Sequence, residues 1–307
     1  MKNDDAVTAE LVAVLVAVSG GQPRVLTREC SHALPAGPFE SSHRSLQAAL
    51  RAWVETQTHH PIGYVEQLYT FADGDRANWQ GQRIISVSYL GLTRESENLD
   101  IDSVGWQDWY RYFPWEDWRL GRPQMLIDKI LPALHHWCAA ASGVAAKRQR
   151  RQRVDDTFGH DMDDWNEELV LQRYELLFEA GLVPEAVRRS GAAPDVALPG
   201  QDMQHDHRRI LATAMARLRA KIRYRPVVFE LMPPAFTLLQ LQLAFEALAG
   251  RCLHKQNFRR FIAQQALVEE TGGMTRGEAG RPAKLFQFRG DVMRERAIAG
   301  SKLPLSK

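Results

Sequence analysis

The first strongly patterned stretch of the chain, "LVAVLVAV" at 11–18, is apolar at every position rather than at every second one. A short run of this kind, closed by "SGGQP", predicts a strand buried on both faces, and "RVLTREC" at 24–30 predicts its hairpin partner. After the Pro/Gly loop "LPAGPF", Leu46, Ala49, Leu50 and Trp53 recur at the spacing of one buried helix face, with Ser41 or Ser42 placed to cap its start. "GYVEQLYTF" and "RIISVSYLGL" predict two more strands, separated by the turn-like "ADGDRANWQGQ". This is an α/β pattern.

The C-terminal part has a different rhythm. Thr237 is an N-cap for a helix over 238–249, and Gly250 is its terminator. "RCLHK" turns into a second helix over 256–267, and "LVEETGG" and "RPAKLFQF" then form a hairpin. Helix, short turn, basic helix and hairpin together make a winged helix-turn-helix. On the second helix Phe258, Phe261 and Ile262 are expected in the core. Lys255 at its start, with Gln256, Asn257, Arg259, Arg260 and Gln264, is then free to meet a major groove, where Asn and Gln pair with adenine and Arg with guanine. Arg276, Arg281 and Lys284 belong to the wing and are expected near the DNA backbone or minor groove. The plain alternative is a basic packing subdomain, which the agreement of cap, terminator, helix lengths and wing composition disfavours.

Between these parts, residues 106–204 are rich in aromatics, with Trp106, Trp109, Trp115, Trp118 and Trp137 close together. Such rings serve core packing or a dimer interface; an aromatic cage for adenine, with Arg111 or Arg119 at its phosphates, is the sharper alternative. "KRQRRQR" at 147–153 reads as a solvated connector or helix face ahead of the alternative, a second nucleic-acid site. "DDWNEELVLQRYELLFEAGLVPEA" reads as an acidic helix whose Trp165, Leu169 and Leu176 could support dimerisation, and "GAAPDVALPG" at 191–200 as a loop. The helix "HRRILATAMARLRAKI" at 207–222 buries Ile210, Leu211, Met215, Leu218 and Ile222, as a connector would.

Composition narrows the classes. At 307 residues, 45% hydrophobic and 25% charged, the chain is an ordinary globular protein of about two domains. The apolar run is too short for a membrane span and poorly flanked for a signal peptide, so a cytoplasmic protein with no membrane partner is expected. Three cysteines without pairing or CxxC spacing make a disulfide framework or zinc cluster improbable, and the histidine pairs lack metal-site spacing, so no metal is assigned. The net charge of +2 hides an asymmetry: residues 205–307 carry 19 Lys and Arg against 8 Asp and Glu, while residues 1–204 carry 20 against 29. A basic C-terminal part attracts polyanions.

The stretch "LPAGPFESSHRSLQAALRAWVETQTH" resembles the Nudix signature in its spacing. With Gly37 on the first glycine, His43 falls on the first glutamate, Arg51 on the arginine, and Ala52, Trp53, Glu55, Thr56 and Thr58 on the positions that follow. Of the four box glutamates only Glu55 remains, and one carboxylate is a poor holder of magnesium against a diphosphate. Over residues 7–92 and about 205–290 the chain resembles the Nudix-related transcriptional regulators of bacterial NAD metabolism (NrtR-type), most of all their NadQ-like repressors of de novo NAD synthesis. "FTLLQLQLAFEALAGRCLHKQNFRRFI" with "GRPAKLFQF" carries it most specifically, and "YVEQLYTFADGDR" with "RIISVSYLGL" looks like their sensor.

The resemblance implies a Nudix-like α/β/α sandwich with a helical middle segment, followed by a C-terminal winged helix-turn-helix. It implies a sensing domain over 1–223 with the extra segment at about 106–204, a DNA-binding domain over 224–295 and a tail over 296–307. It further implies a homodimeric repressor of NAD biosynthesis genes, bound to double-stranded DNA at a palindromic operator, with no cofactor but an adenine-containing nucleotide effector (NAD, ATP or ADP-ribose-like). Arg51, Glu55, Tyr69, Arg76, Arg83, Trp115 and Arg119 are the expected effector contacts. Two other classes stay open on the residues alone: an active Nudix nucleotide pyrophosphatase with a basic accessory domain, resting on Glu55, and an assembly adaptor whose winged helix binds protein.

Overall fold

In the computed structural model, which describes residues 7–28, 30–41, 43–58, 62–72, 83–95, 104–159, 164–191, 198–224, 227–275 and 282–290, the apolar run is the centre of β1 (Val7–Ser19). Gly20 and Gly21, at φ 57° and 72°, make the tight turn into β2 (Gln22–Thr27). Two consecutive left-handed residues match the right-handed twist of a hairpin, and glycine takes them without steric cost. β3 (Ala36–Pro38) pairs with the first half of β1, and β5 (Arg83–Leu92) runs parallel to β1 along ten residues. β4 (Tyr64–Phe71) and β6 (Gly105–Asp108) close the edges, giving the order β4-β5-β1-β2-β6 among the described residues.

Both faces of this sheet are covered, which is why β1 does not alternate. Leu11, Ala13 and Leu15 pack with Ala49, Leu50 and Val54 of α1 (Leu46–Thr58). Val12, Val14 and Val16 face the other way, into a cluster that includes Ile210, Leu211, Met215 and Leu218 of α6 (His207–Tyr224). The expected α/β/α sandwich is thus present. Its first helix is capped later than the sequence suggested: Ser45 Oγ accepts from the Ala48 amide at 3.2 Å. The reason is local, because the His43 ring accepts from the Glu40 amide and the His43 amide donates to the Glu40 carbonyl, folding 40–43 into a turn. Ser41 is therefore inside that turn and not at the helix start, and Ser42 lies outside the described residues.

The middle segment folds as α2 (Leu131–Ala139), α3 (Val144–Phe158), α4 (Val170–Glu179) and α5 (Pro184–Ser190), with α4 packed on α6. The tryptophans mostly serve packing: Trp109, Trp115, Trp118 and Trp165 are buried. The expectation that Trp165 and Leu176 present a dimer surface is corrected, since they are 3% and 1% exposed and belong to the chain's own core.

The C-terminal part is α7 (Leu238–Ala249), α8 (Lys255–Gln265), β7 (Val268–Met274) and β8 (Lys284–Phe288). Thr237 and Gln240 form a reciprocal capping box at the start of α7, and Gly250 (φ 72°) ends it, both at the expected residues. α8 stops two residues before the expected 267, because Ala266 takes the left-handed conformation at φ 48°. Phe236 pairs with Phe286 through two backbone hydrogen bonds, so the approach to α7 is stitched to the wing.

A buried charge cluster fastens these layers. The Glu116 carboxylate accepts from Arg173 Nε at 2.7 Å and Nη2 at 2.9 Å, and from Arg219 Nη1 at 2.7 Å, and all three side chains have no exposure. Arg219 Nε also donates to the Leu248 carbonyl at 3.0 Å, near the end of α7. Burial alone would push the Glu116 carboxyl up, but the Arg173 and then the Arg219 guanidinium hold it below the ordinary carboxylate value. A depressed carboxyl stabilises the fold at pH values above its unfolded pKa of about 4.3, and that stabilisation is lost as pH falls through the folded value. Replacing Glu116 by Gln leaves two buried guanidiniums without a counter-charge, so a loss of about 3–5 kcal/mol is expected in urea unfolding at pH 7. The gap from wild type should narrow below about pH 4; a constant gap down to pH 3 would contradict this account.

Candidate nucleic-acid interface and sensing face

α8 is amphipathic in the sense its sequence requires. Phe258 (4% exposed) and Ile262 (3%) are the residues that anchor it, Phe258 lying edge-on to Phe245 of α7. Lys255, Gln256, Asn257, Arg259, Arg260 and Gln264 are all exposed, as expected of a groove-facing helix. Arg260 Nη2 donates to Asn257 Oδ1 at 2.7 Å, which holds an Arg and an Asn side by side one turn apart. Phe261 is corrected: at 36% exposure it is not core but lines a cavity of about 380 Å³ with Ile222, Phe245, Leu253 and Phe258. It sits about 60° round the helix from Phe258, on the side away from Ile262, at the edge of the buried stripe.

Of the three expected wing cations the structure describes one. Lys284 is exposed but pairs with Glu270 on the facing strand at 2.8 Å. Arg276 and Arg281 lie outside the described residues.

On the sensing side, the structure divides the expected residues. Arg51 donates to the carbonyls of Ile62 and Gly63, fastening α1 to the start of β4. Glu55 is exposed one turn further along α1. Gly37 is where the loop passes under α1: a Cβ there would lie 1.8 Å from the Trp53 ring, so the first box glycine is required by packing. Tyr69 is 60% exposed on β4, and Arg83 donates to the Ala72 carbonyl at 2.8 Å. Arg76 lies outside the described residues.

Trp115 and Arg119 are corrected as effector contacts. Trp115 has no exposure and packs edge-on to Phe113, so neither ring face is open to a nucleotide. Arg119 spends its donors on Asp117, the Gly21 carbonyl and Gln22 Oε1, and the Asp117 hydrogen bonds raise its pKa further. It clamps the β1–β2 turn to the middle segment.

The sequence reading missed the residues that join sensor to reader. Arg208 and Arg219 fall on the same stripe of α6 as Leu211, Met215, Leu218 and Ile222, and both are buried. The spacing signal was there, but charged residues on an apolar stripe were passed over as solvated. On the sheet side of α6, Lys221 pairs with Glu66 and donates to the Tyr64 hydroxyl at 3.0 Å, both on β4. Burial raises the Tyr64 pKa, and the Lys221 hydrogen bond only partly offsets it. Among the described residues no group of three or more His, Cys, Asp or Glu side chains is arranged to hold a metal ion, and no helix is long and apolar enough to cross a membrane.

Comparison with known proteins agrees with this geometry. The model of the NrtR DNA-binding winged helix domain matches residues 228–288. The ADPR responsive transcriptional repressor NtrR of Acinetobacter baylyi is 41% identical over 87 residues, which is 28% of this chain and 34% of that protein. The chain thus aligns with about a third of the length of that curated relative. Shewanella oneidensis NrtR, solved in complex with a 27mer DNA, superposes with a TM-score of 0.55 at 20% identity, covering 93% of this chain and 95% of that one. A MutT/nudix family protein from Enterococcus faecalis gives 0.52 at 17% identity, over 94% and 89%. Residues 228–288 thus match the NrtR winged helix domain, and the chain as a whole shares the fold of Shewanella NrtR, with the sandwich and the winged helix in the expected order.

Proposed function

We propose that this protein is a DNA-binding transcriptional repressor whose Nudix-like sandwich senses an adenine-containing nucleotide of the ADP-ribose class without hydrolysing it. The observation that carries the reading is the exposed, basic and amide-rich face of α8 inside a segment that matches the NrtR DNA-binding winged helix domain. The reader is 224–295 and the sensor 1–223, with Gln256, Asn257, Arg259, Arg260 and Gln264 addressing base edges and Lys255, with the wing cations, addressing phosphates. The regulated genes are those of NAD biosynthesis, in the manner of NadQ-like repressors, and the protein acts in the cytoplasm.

The sensing role is supported by the name of the Acinetobacter relative, an ADPR responsive repressor. Non-hydrolysis is supported by the chemistry of the box. His43 is stacked on Phe39 and bonded to the Glu40 amide, Ala52 has no ligand atom, and the Thr56 hydroxyl donates to the Ala52 carbonyl, so Glu55 is the carboxylate left at those positions. Magnesium acting on a diphosphate needs several hard oxygen ligands.

The effector acts by differential affinity for two arrangements of a homodimer. In the competent one the two α8 helices enter successive major grooves on one face of a palindromic operator, about 34–36 Å apart. α6 is the element both sides share, holding β4 through Lys221 and the end of α7 through Arg219.

Arg259→Ala and Arg260→Ala should each weaken operator binding by roughly 10- to 100-fold, as removal of a base-reading arginine does, while leaving nucleotide affinity unchanged. Fluorescence anisotropy checks this, and full operator affinity in both variants would displace α8 from the reading role. ADP-ribose, NAD or ATP should change operator affinity by at least about tenfold, equivalent to about 1.4 kcal/mol of coupling. Chromatography of ADP-ribose incubated with protein and magnesium should show no released AMP, and release that disappears in Glu55→Ala would instead make the protein a pyrophosphatase.

A further inference from the structure

α3 carries its charges in the order opposite to the one a helix prefers. Lys147, Arg148, Arg150, Arg151 and Arg153 crowd its first ten residues, while Asp155 and Asp156 stand in its last turn. The macrodipole favours acids in the first turn and bases in the last, so Lys147 at the start and Asp155 and Asp156 at the end are each unfavourable by about a few tenths of a kcal/mol. Gly143 at its start offers no side chain to cap the free amides.

Two of the five cations repay that cost inside the fold. Arg150 lies over the Trp137 ring at 4.1 Å and donates to its carbonyl, and Arg153 pairs with Glu179. Lys147, Arg148 and Arg151 are exposed on successive turns, together with Gln149 and Gln152. Round the helix Arg151 lies between Lys147, four residues before it, and Arg148, three before it, so the three span an arc of about 100°. Three exposed cations on one arc of a helix, with no acidic partner among the described residues, attract a polyanion rather than form a packing surface.

The fold ties this helix to the reader. Phe158 at its C-terminal end packs edge-on to Trp165, Trp165 stacks on Trp118, and the Trp118 amide donates at 2.7 Å to the carbonyl of Gly250 in the turn between α7 and α8. From that anchor Lys147 is roughly 16 Å along the helix axis, a span of about half a duplex turn.

We infer that the N-terminal half of α3 is a second DNA contact, in which Lys147, Arg148 and Arg151 bind backbone phosphates flanking the operator read by α8. It rests on the reading of α8 as the operator-binding helix. These contacts carry no sequence information and act through counterion release.

The test uses the full chain and an operator obtained by selection from random duplex DNA, prepared in two lengths. One duplex ends at the α8 footprint and the other continues by about ten base pairs on each side. Wild-type protein should bind the longer duplex on the order of tenfold more tightly at moderate salt. The triple variant Lys147→Ala, Arg148→Ala, Arg151→Ala should bind the short duplex as wild type does and gain nothing from the extension. Its salt dependence on the long duplex should be shallower by about five, three phosphate contacts being lost from each of two protomers.

The inference is overturned if wild type gains nothing from the extension, or if the variant gains as much as wild type. It is also overturned if the variant instead loses affinity for a single-stranded RNA while its duplex binding is intact, which would assign the face to RNA. Arg259→Ala separates this from failure of the operator reading, because it should weaken binding to both duplexes by roughly 10- to 100-fold while the α3 variant keeps wild-type affinity for the short one. Absence of discrimination in the wild-type protein would remove both.

Discussion

Glu116 lies between two guanidiniums that water does not reach, and the layers of this protein meet on those three side chains. A buried carboxylate is tolerable only with its charge matched and its lone pairs filled, and here three N–H groups fill them. The pair of arginines leaves a positive excess, which is absorbed by carbonyls and a ring. Arg173 donates to the carbonyls of Thr157 and Asn166 and lies 3.7 Å from the Trp165 ring centre, while Arg219 takes the carbonyls of Glu167 and Leu248. Leu248 is in the last turn of α7, where free carbonyls form the negative end of the helix dipole, so Arg219 is well matched to it. The cluster therefore joins α3, α4, α6 and α7 by specific directions, which an apolar contact of the same area would not do.

One consequence is that the reader is not a module on a flexible tether. Gly250 must be a glycine for two reasons: its φ of 72° suits a residue without Cβ, and a Cβ there would lie 2.4 Å from the Glu116 carbonyl. The turn that sets the angle between α7 and α8 is thereby held against the same segment that supplies Glu116. α7 also rests on β2, and the aromatic rings of Phe229, Phe236 and Phe288 join the wing to the approach of α7. A single apolar cluster runs from Val12 in the sheet to Ile262 in the reading helix.

What could be read from sequence follows from what kind of signal each feature leaves. The cap and terminator of α7 were legible to the residue, because Thr237 and Gly250 act through their own backbone neighbourhood. The double-sided burial of β1 was legible from an unbroken apolar run. The cap of α1 was misplaced because the competing turn at 40–43 depends on a histidine ring accepting from a backbone amide, which no helix-start pattern contains. Phe261 was misread because a 100° periodicity places it at the edge of the stripe, and only the shape of the neighbouring α6 decides which side of that edge is covered. Glu116, Arg173, Arg208 and Arg219 were missed altogether, since each looks solvated until its partner, up to 103 residues away, is in place. Arg208 illustrates the point: its Nη2 donates to the Tyr112 carbonyl and its Nη1 to Glu185 at 3.3 Å, contacts that unite three distant segments.

The same long-range pairing bears on how a signal could reach the reader. α6 has one face on the sheet and the other on the helical segment and α7, so it cannot shift against either without changing both. Lys221 and Arg219 are two residues apart and therefore project to different sides of the helix. Lys221 meets Tyr64 and Glu66 of β4, and Arg219 meets the end of α7. A buried ion cluster has few arrangements of low energy, because a small displacement leaves a charge unpaired in a dry interior. A nucleotide that moved β4 would therefore be answered by a shift of α6 as a unit, with the cluster kept intact, rather than by local yielding. The stiffness that makes Glu116 costly to lose is what would carry a change at the sheet to the turn that places α8.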